Sequence, residues 1–253
     1  MTTYTTPSAH ISHQPAQTPR FDAVDRAWRP LYRISATAAL AVVLLTCTAV
    51  GFYLASPPPS TISGHFTQLQ HNPLLGLLDL DLLMLAAYAV MMLLYLGLYI
   101  ALRRASSSLM AIALALGLMN IAVYITTNPA FAMLSLSGQY ATATAAEQRA
   151  AALAAGEAVY AISVGTAFDV SYILGGVCTL IFAAVMLRSG MFSKFTAYIG
   201  LATGVLMLIP ATAGTIGLYL SLVSLVPMVI WLVLVARRLF QLADMTTPAD
   251  VAA

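Results

Sequence analysis

The chain has 253 residues and a net charge of only +2; 60% of its residues are hydrophobic and 8% are charged. Soluble domains carry about 25% charged residues, so this composition excludes an ordinary water-soluble fold and indicates that lipid surrounds most of the chain. The basic residues form no stripe with interleaved aromatics, which argues against nucleic acid as a partner.

The amino-terminal residues divide into two segments. Residues 1–19 are rich in Thr, Ser, Pro and Gln and predict a disordered cytoplasmic tail. Residues 20–33 combine four arginines with aromatic residues, a mixture typical of the lipid headgroup layer. No small-residue cleavage pattern follows the next apolar stretch, so we expect a retained transmembrane helix and not a signal peptide.

Six stretches are long and apolar enough to cross a bilayer, which takes about 20 residues each. They predict an all-α fold, a polytopic bundle whose membrane domain covers residues 34–242, followed by a second disordered cytoplasmic tail at 243–253. The predicted spans are 34–55, 74–102, 107–127, 166–187, 195–213 and 216–236. Gly200 and Gly204 are spaced to let a second helix approach the fifth span closely.

The basic residues orient this bundle. With six crossings, all of the 11 Lys and Arg residues except Arg149 fall on one side. Lys and Arg concentrate in cytoplasmic loops, so both termini are expected in the cytoplasm. The expected location is a bacterial cytoplasmic (inner) membrane.

The longest connection, residues 128–160, is expected to be partly helical. Asn128-Pro129 is a typical helix start, and the alanine-rich run that ends at Ala155 has high helix propensity. We therefore expect one or two short helices across the outer face of the bundle.

Polar residues gather at the predicted outer boundary. Asp81 precedes Arg103 by 22 residues, which is about 33 Å along a helix, against a hydrocarbon core of about 30 Å. Counting along the helices in the same way brings Asp79, Asp169 and Asn120 close to the same outer boundary. With two residues of the outer connection, they form a candidate outer-face polar site: Asp79, Asp81, Asp169, Asn120, Arg149 and Glu157.

Such carboxylates can bind a cation, orient a lipid headgroup or act as acid and base. They can equally be solvated, because a charge at the interface costs little. Asp79 and Asp81 would point about 200° apart on a continuous helix, so we do not expect both to face one pocket.

Cofactor and metal sites receive little support from the sequence. His65 and His71 are weak metal candidates, since they form no compact ligand pair. No histidine lies within a predicted span, which argues against haem. Cys47 and Cys178 lie in apolar runs, and Met84, Met91 and Met207 are interpreted as packing residues. No cofactor is predicted, and no motif indicates catalysis.

Several stretches resemble domain-of-unknown-function family 4386, a group of uncharacterised six-helix bacterial membrane proteins. The similar stretches are NPAFAMLSLSGQYATATAAEQRAAALAAGEA (128–158), GTAFDVSYILGG (165–176), VMLRSGMFSKFTAYIGLATGV (185–205) and LSLVSLVPMVIWLVLVARRLFQL (220–242), with HNPLLGLLDLDLL in the first half. The resemblance implies a six-helix bundle and no particular activity.

Three functional hypotheses remain. The first is a non-catalytic protein, either an accessory subunit of a membrane complex or a lipid or small-molecule binding module. The second is a small-solute transporter, suggested by two similar helical hairpins. The third is an outer-leaflet lipid hydrolase that uses the outer-face carboxylates. Membrane lipids, and in the first case other membrane subunits, are the expected partners.

Overall fold

A computed structural model describes residues 27–245, and within this range all regular structure is helical. The ten helices are α1 (Arg29–Ala55), α2 (Ile62–His71), α3 (Pro73–Asp79), α4 (Leu82–Leu102), α5 (Ser107–Thr127), α6 (Ala130–Thr142), α7 (Ala146–Val164), α8 (Thr166–Ser189), α9 (Lys194–Leu206) and α10 (Gly214–Met245). The predicted tail 1–19 and most of segment 20–33 lie outside the described residues. The part of the predicted tail 243–253 that follows Met245 also lies outside the described residues.

Six of these helices form a closed ring. Neighbours pack in the order α1, α4, α5, α8, α9, α10, and α10 returns to α1. Buried Leu94, Leu98, Phe182 and Leu232 belong to the core inside the ring. The outward side is also apolar: Leu44, Leu54 and Ile216 are 68%, 77% and 72% exposed. Such exposed leucines and isoleucine indicate contact with lipid chains.

Five helical stretches of the described range are long and apolar enough to cross a membrane. They are Arg29–Ala55, Leu82–Leu102, Ser107–Thr142, Ala146–Ser189 and Gly214–Asp244. The chain is therefore a multi-pass helical membrane protein. The sixth ring helix, α9, has only 13 residues.

The predicted single helix over 74–102 is wrong, because the chain breaks between α3 and α4. Asp81 adopts a left-handed conformation with φ of 64°, which Asp tolerates better than most residues because its short side chain can bond locally. The Leu80 carbonyl accepts a hydrogen bond of 3.3 Å from Nδ2 of Asn128. The break therefore makes α3 and α4 two separate helices.

The predicted helix over 195–213 also ends early, at Leu206. Pro210 restricts the residue before it to extended conformations, and Gly214 has a positive φ of 75°. The predicted close approach at Gly204 is confirmed, because a Cβ there would lie 3.0 Å from the carbonyl oxygen of Gly176 in α8.

The remaining helices, α2, α3, α6 and α7, pack together as a second unit, which we call the cap. Its core contains Phe66, Leu69, Leu80, Ala130, Met133 and Ala152. The expectation of one or two helices within 128–160 is confirmed by α6 and α7. Asn128-Pro129 separates α6 from α5, and Gly165 separates α7 from α8. The cap is thus built on the ends of ring helices.

Hydrogen bonds identify the two ends of the ring. At the end away from the cap, Arg33 pairs with Asp244 at 3.2 Å, and Arg238 Nε donates to the Met191 carbonyl at 2.5 Å. At the cap end, Thr212 donates to Asp169. The segment from Met191 to Thr212, which contains α9, therefore runs from the first of these ends to the second. We call them the basic end and the cap end.

Candidate functional site

A cavity of about 310 Å³ lies where the cap meets the ring, and we call it the vestibule. Residues from both units contribute to its wall. They are Tyr53, Pro58, Asp79, Leu80, Asp81, Tyr124, Thr127, Asn128, Pro129, Tyr160, Ser163, Val164, Phe168, Ala211 and Thr212. Four of these side chains are aromatic and two are acidic. None of these described residues is basic.

Asp79 and Asp81 line this same cavity, contrary to the expectation that they would face apart. That expectation assumed a continuous helix. The left-handed Asp81 ends the helical geometry between them, so the angular rule for a helix does not apply.

Asp81 is exposed to the cavity that it lines but is surrounded by protein on its other sides. Removal from bulk water raises the pKa of its carboxyl group to about 6, and a hydrogen bond from the Tyr124 hydroxyl partly opposes this shift. Asp81 therefore changes charge close to neutral pH.

Asp79 belongs to a small polar cluster inside the cap. Its Oδ2 accepts a hydrogen bond from Nε2 of Gln68. Its buried Oδ1 has no hydrogen-bond partner among the described residues, and neither do Oε1 of Gln68 and Nδ1 of His65. Burial raises the pKa of Asp79, with the Gln68 bond and His65 opposing it. Burial lowers the pKa of His65, against a smaller effect of Asp79. Burial therefore favours the neutral forms of both.

The two histidines do not come together as ligands. His65 is buried and packs its ring against Tyr160, with centroids 5.5 Å apart. His71 is exposed, and its Nδ1 donates to the Thr67 carbonyl at 2.9 Å. Among the residues that the structure describes, no group of three or more His, Cys, Asp or Glu side chains is placed to hold a metal.

The other predicted site residues take separate positions. Asp169 accepts a hydrogen bond from Thr212 at the edge of the vestibule. Arg149 and Glu157 are exposed on α7 of the cap, where Arg149 Nε donates to the Ala143 carbonyl at 3.2 Å. Asn120 is buried inside the ring, away from the vestibule lining. The structure thus brings together Asp79 and Asp81 and leaves the rest apart.

A second cavity, of about 100 Å³, lies at the centre of the ring, and all six ring helices contribute to its lining. We call it the ring cavity. Its polar lining residues are neutral: Thr46, Tyr88, Tyr95, Asn120, Tyr172, Thr179, Thr203, Ser221, Ser224 and Trp231. Oγ1 of Thr46 and Nε1 of Trp231 are buried without a hydrogen-bond partner in the described chain. Met84, Met91 and Met207, expected as packing residues, also line it.

A stacked tyrosine pair links the two cavities. Tyr124 lines the vestibule and Tyr88 lines the ring cavity. Their ring centroids are 3.9 Å apart and the rings are nearly parallel, at 10°. Tyr88 is hydrogen-bonded to Ser171, which donates to Oδ1 of Asn120 at 2.6 Å. Polar contacts therefore continue from Asp81 at the vestibule to Asn120 inside the ring.

Sequence reasoning missed the ring cavity because it searched for ionisable residues. The polar lining comes from six helices spread between Thr46 and Trp231, and each such residue has an ordinary packing explanation in its own helix. The neutral polar residues at corresponding depths of every span were the available signal, but their convergence depends on the order of helices around the ring.

Fold and cavities together define a multi-pass helical membrane protein with polar residues at the cap end and at the centre of its ring. A family model described as Domain of unknown function (DUF4386) matches residues 36–240, and the chain belongs to this family. The match includes the ring and the cap and confirms the resemblance seen in the sequence. No curated protein and no solved structure matches the chain.

Proposed function

We propose that this protein is a small-molecule binding module that takes an organic cation, such as a small substituted ammonium compound, into the vestibule. One observation carries the proposal: the lining combines two carboxylates with four aromatic rings, and none of the described lining residues is basic. Aromatic faces attract cations, most strongly where water is excluded. The volume of about 310 Å³ lies at the lower end of ligand cavities.

The two acids have different roles in this proposal. Asp81, next to the Tyr124 ring, supplies the charge that pairs with the cation. Asp79 is held by Gln68 inside the cap, where burial favours its neutral form, and it supplies a polar group to the wall of the vestibule. Tyr160 on α7 of the cap and Phe168 on α8 of the ring provide additional aromatic surface.

Calorimetric titration of the detergent-solubilised full chain tests the proposal. Choline and 3,3-dimethylbutan-1-ol have the same shape and differ in the charge of the central atom. We expect saturable binding of choline and at least about tenfold weaker binding of the neutral alcohol. Equal affinities, or no binding of choline at all, would overturn the proposal.

Matched variants separate the site from the overall charge of the cap. Asp81→Asn should weaken choline binding by about tenfold or more, because it removes the paired charge. Glu157→Gln removes one negative charge from the exposed surface of α7 and should leave the affinity unchanged. Equal losses in both variants would indicate long-range attraction in place of a defined site.

Transport of the same cation is the second candidate, favoured by the position of the ring cavity behind the Tyr88–Tyr124 pair. If the protein is a transporter, the stacked Tyr88–Tyr124 pair separates the vestibule from the ring cavity. Vesicles that contain the protein should then take up labelled choline, and Tyr88→Ala should change the rate of uptake. The hydrolase hypothesis has no such support, since Nδ1 of His65 makes no hydrogen bond to Asp79.

We further propose six crossings of a bacterial cytoplasmic membrane, with the basic end in the cytoplasm. The 13-residue α9 and the turns up to Thr212 supply the sixth crossing. The arginines at the basic end support the orientation. Reporter fusions at the two termini should both be active in the cytoplasm, and opposite locations would exclude six crossings.

A further inference from the structure

The polar groups that line the ring cavity differ in whether the protein itself satisfies them. Thr179 and Thr203 donate to carbonyls one turn earlier in their own helices, at 2.8 and 2.9 Å. Thr46 makes no such bond, and neither its Oγ1 nor Nε1 of Trp231 has a hydrogen-bond partner in the described chain. Both residues are buried, with 2% and 3% of their surface exposed. Burying a polar group without a partner is costly, so these two atoms favour a ligand that hydrogen-bonds to them.

Glycines make room for the polar side chains of this wall. A Cβ at Gly200 would lie 2.6 Å from Nε1 of Trp231, and a Cβ at Gly175 would lie 3.0 Å from Nδ2 of Asn120. Both distances are shorter than nearly all contacts of a Cβ. The glycines belong to α9 and α8, whereas the polar side chains come from α10 and α5. Each polar side chain is therefore held against the backbone of another helix, and the wall of the cavity is closely packed.

Charge and size define the class of ligand that fits the ring cavity. None of the described lining residues is charged, and an unpaired charge inside a membrane is costly, so the ligand is neutral. The indole N–H of Trp231 can only donate, so the ligand carries an acceptor, to which the Thr46 hydroxyl can also donate. The volume is about 100 Å³. Since a cavity of about 150 Å³ holds benzene, a ligand of about four non-hydrogen atoms is in proportion to this volume.

We propose that the ring cavity binds a small, neutral and largely apolar molecule with a hydrogen-bond acceptor, such as a short ketone or amide. Trp231 donates to the acceptor, and Thr46 supplies a second hydrogen bond. The flexible thioethers of Met84, Met91 and Met207 adapt to the apolar part of the ligand. The site is separate from the vestibule, and it does not depend on cation binding there.

Nuclear magnetic resonance of the full chain in detergent, isotope-labelled at its indole nitrogens, tests this proposal. The chain has two tryptophans, and Trp28 is the internal control, because it does not line the cavity and its ring lies 5.5 Å from the Arg103 guanidinium. Acetone and isobutene have the same shape, but only acetone has an acceptor. We expect acetone to shift the Trp231 resonance saturably and isobutene to bind about fivefold or more weakly. Equal affinities, no saturable shift, or equal shifts of both tryptophans would overturn the proposal.

Matched threonine variants distinguish a defined site from general partitioning of acetone into the ring. Thr46→Val keeps the shape of the side chain and removes one of the two hydrogen bonds, so it should weaken acetone binding about fivefold. It should melt no earlier than the wild type, so the lost affinity would not come from unfolding. Thr179→Val is the control and should retain the affinity, since that hydroxyl already donates to the Gly175 carbonyl.

Choline tests the neutral character of the site and should leave the Trp231 resonance unchanged. A saturable shift with choline equal to that with acetone would overturn the proposal. So would an unchanged acetone affinity in Thr46→Val.

Discussion

Asp81 is the residue through which the vestibule should respond to pH. Its carboxyl pKa is raised to about 6, so its charge is lost as the pH falls through that value. The neighbouring groups are Tyr124, Asp79 and the His65 that faces Asp79. The pKa of Asp79 is also raised and that of His65 is lowered, so the imidazole supplies no compensating charge near neutral pH.

Choline affinity should therefore increase with pH. We expect about tenfold weaker binding at pH 5 than at pH 7, because only about one tenth of a group with pKa 6 is ionised at pH 5. The Asp81→Asn variant should show a much flatter profile by calorimetric titration. In the free protein Asp81 contributes in the opposite direction, because folding favours its protonated form and this stabilisation is lost as the pH rises toward 6, whereas the lowered pKa of His65 contributes stability that increases with pH. A flat wild-type binding profile would rule out Asp81 as the paired charge.

The Thr46→Val variant tests whether the buried hydroxyl of Thr46 in the ring cavity lacks a hydrogen-bond partner. Its buried hydroxyl has no partner among the described residues, so Thr46→Val keeps the shape and removes a costly group. Melting in detergent should show a stabilisation of about 1 kcal/mol. Thr179→Val is the control, because that hydroxyl donates to the Gly175 carbonyl at 2.8 Å and its loss should give no gain. Equal melting of wild type and Thr46→Val would mean that a water or ligand in the cavity satisfies the hydroxyl.

The contact between α1 and α4 depends on a glycine. A Cβ at Gly97 would lie 2.2 Å from Oγ of Ser35, which donates to the Leu93 carbonyl at 2.7 Å. Gly97→Ala should therefore destabilise the ring by about 1–3 kcal/mol, measured as thermal melting. Gly51→Ala on α1 is the control, because nothing lies within 4 Å of its Cβ position and the change should be neutral or slightly stabilising. A neutral Gly97→Ala would show that the two helices can separate at little cost.

The element boundaries show how far hydropathy can predict this fold. Apolar length places the helices because each span must satisfy its own backbone bonds in lipid. It did not reveal the break at Asp81, where the apolar sequence continues on both sides while one residue turns left-handed. It also extended α9 beyond Leu206, because residues 207–209 are as apolar as the helix before them. Boundaries within apolar sequence depend on tertiary contacts such as that between Asn128 and the Leu80 carbonyl.

The depth of the site residues in the membrane could also be predicted from the sequence. Counting along helices brought Asp79 and Asp81 to the cap end, because depth depends on the rise per residue. It also brought Asn120 to that level, although this side chain faces inward and bonds with Ser171. Depth is a property of one helix, whereas the wall of a cavity depends on how helices rotate and pack against each other.

At the scale of the whole molecule, the ring and the cap have separate hydrophobic cores, and the vestibule lies at their junction. Phe66 is fully buried in the cap core, so Phe66→Ala should remove about 3 kcal/mol of packing energy from the cap alone. Because units with separate cores can open separately, hydrogen exchange should accelerate in 62–79 and 130–160 and stay slow in α4 and α10.

The same variant should weaken choline binding, since Asp79 and Tyr160 reach the vestibule from the cap. Phe182→Ala is the matched change in the ring core. It should lower the hydrogen-exchange protection of the ring helices in addition to that of the cap. If Phe66→Ala accelerated exchange equally in ring and cap, the two would be one cooperative unit. The vestibule would then be a fixed pocket, and movement of the cap on the ring could not admit the ligand.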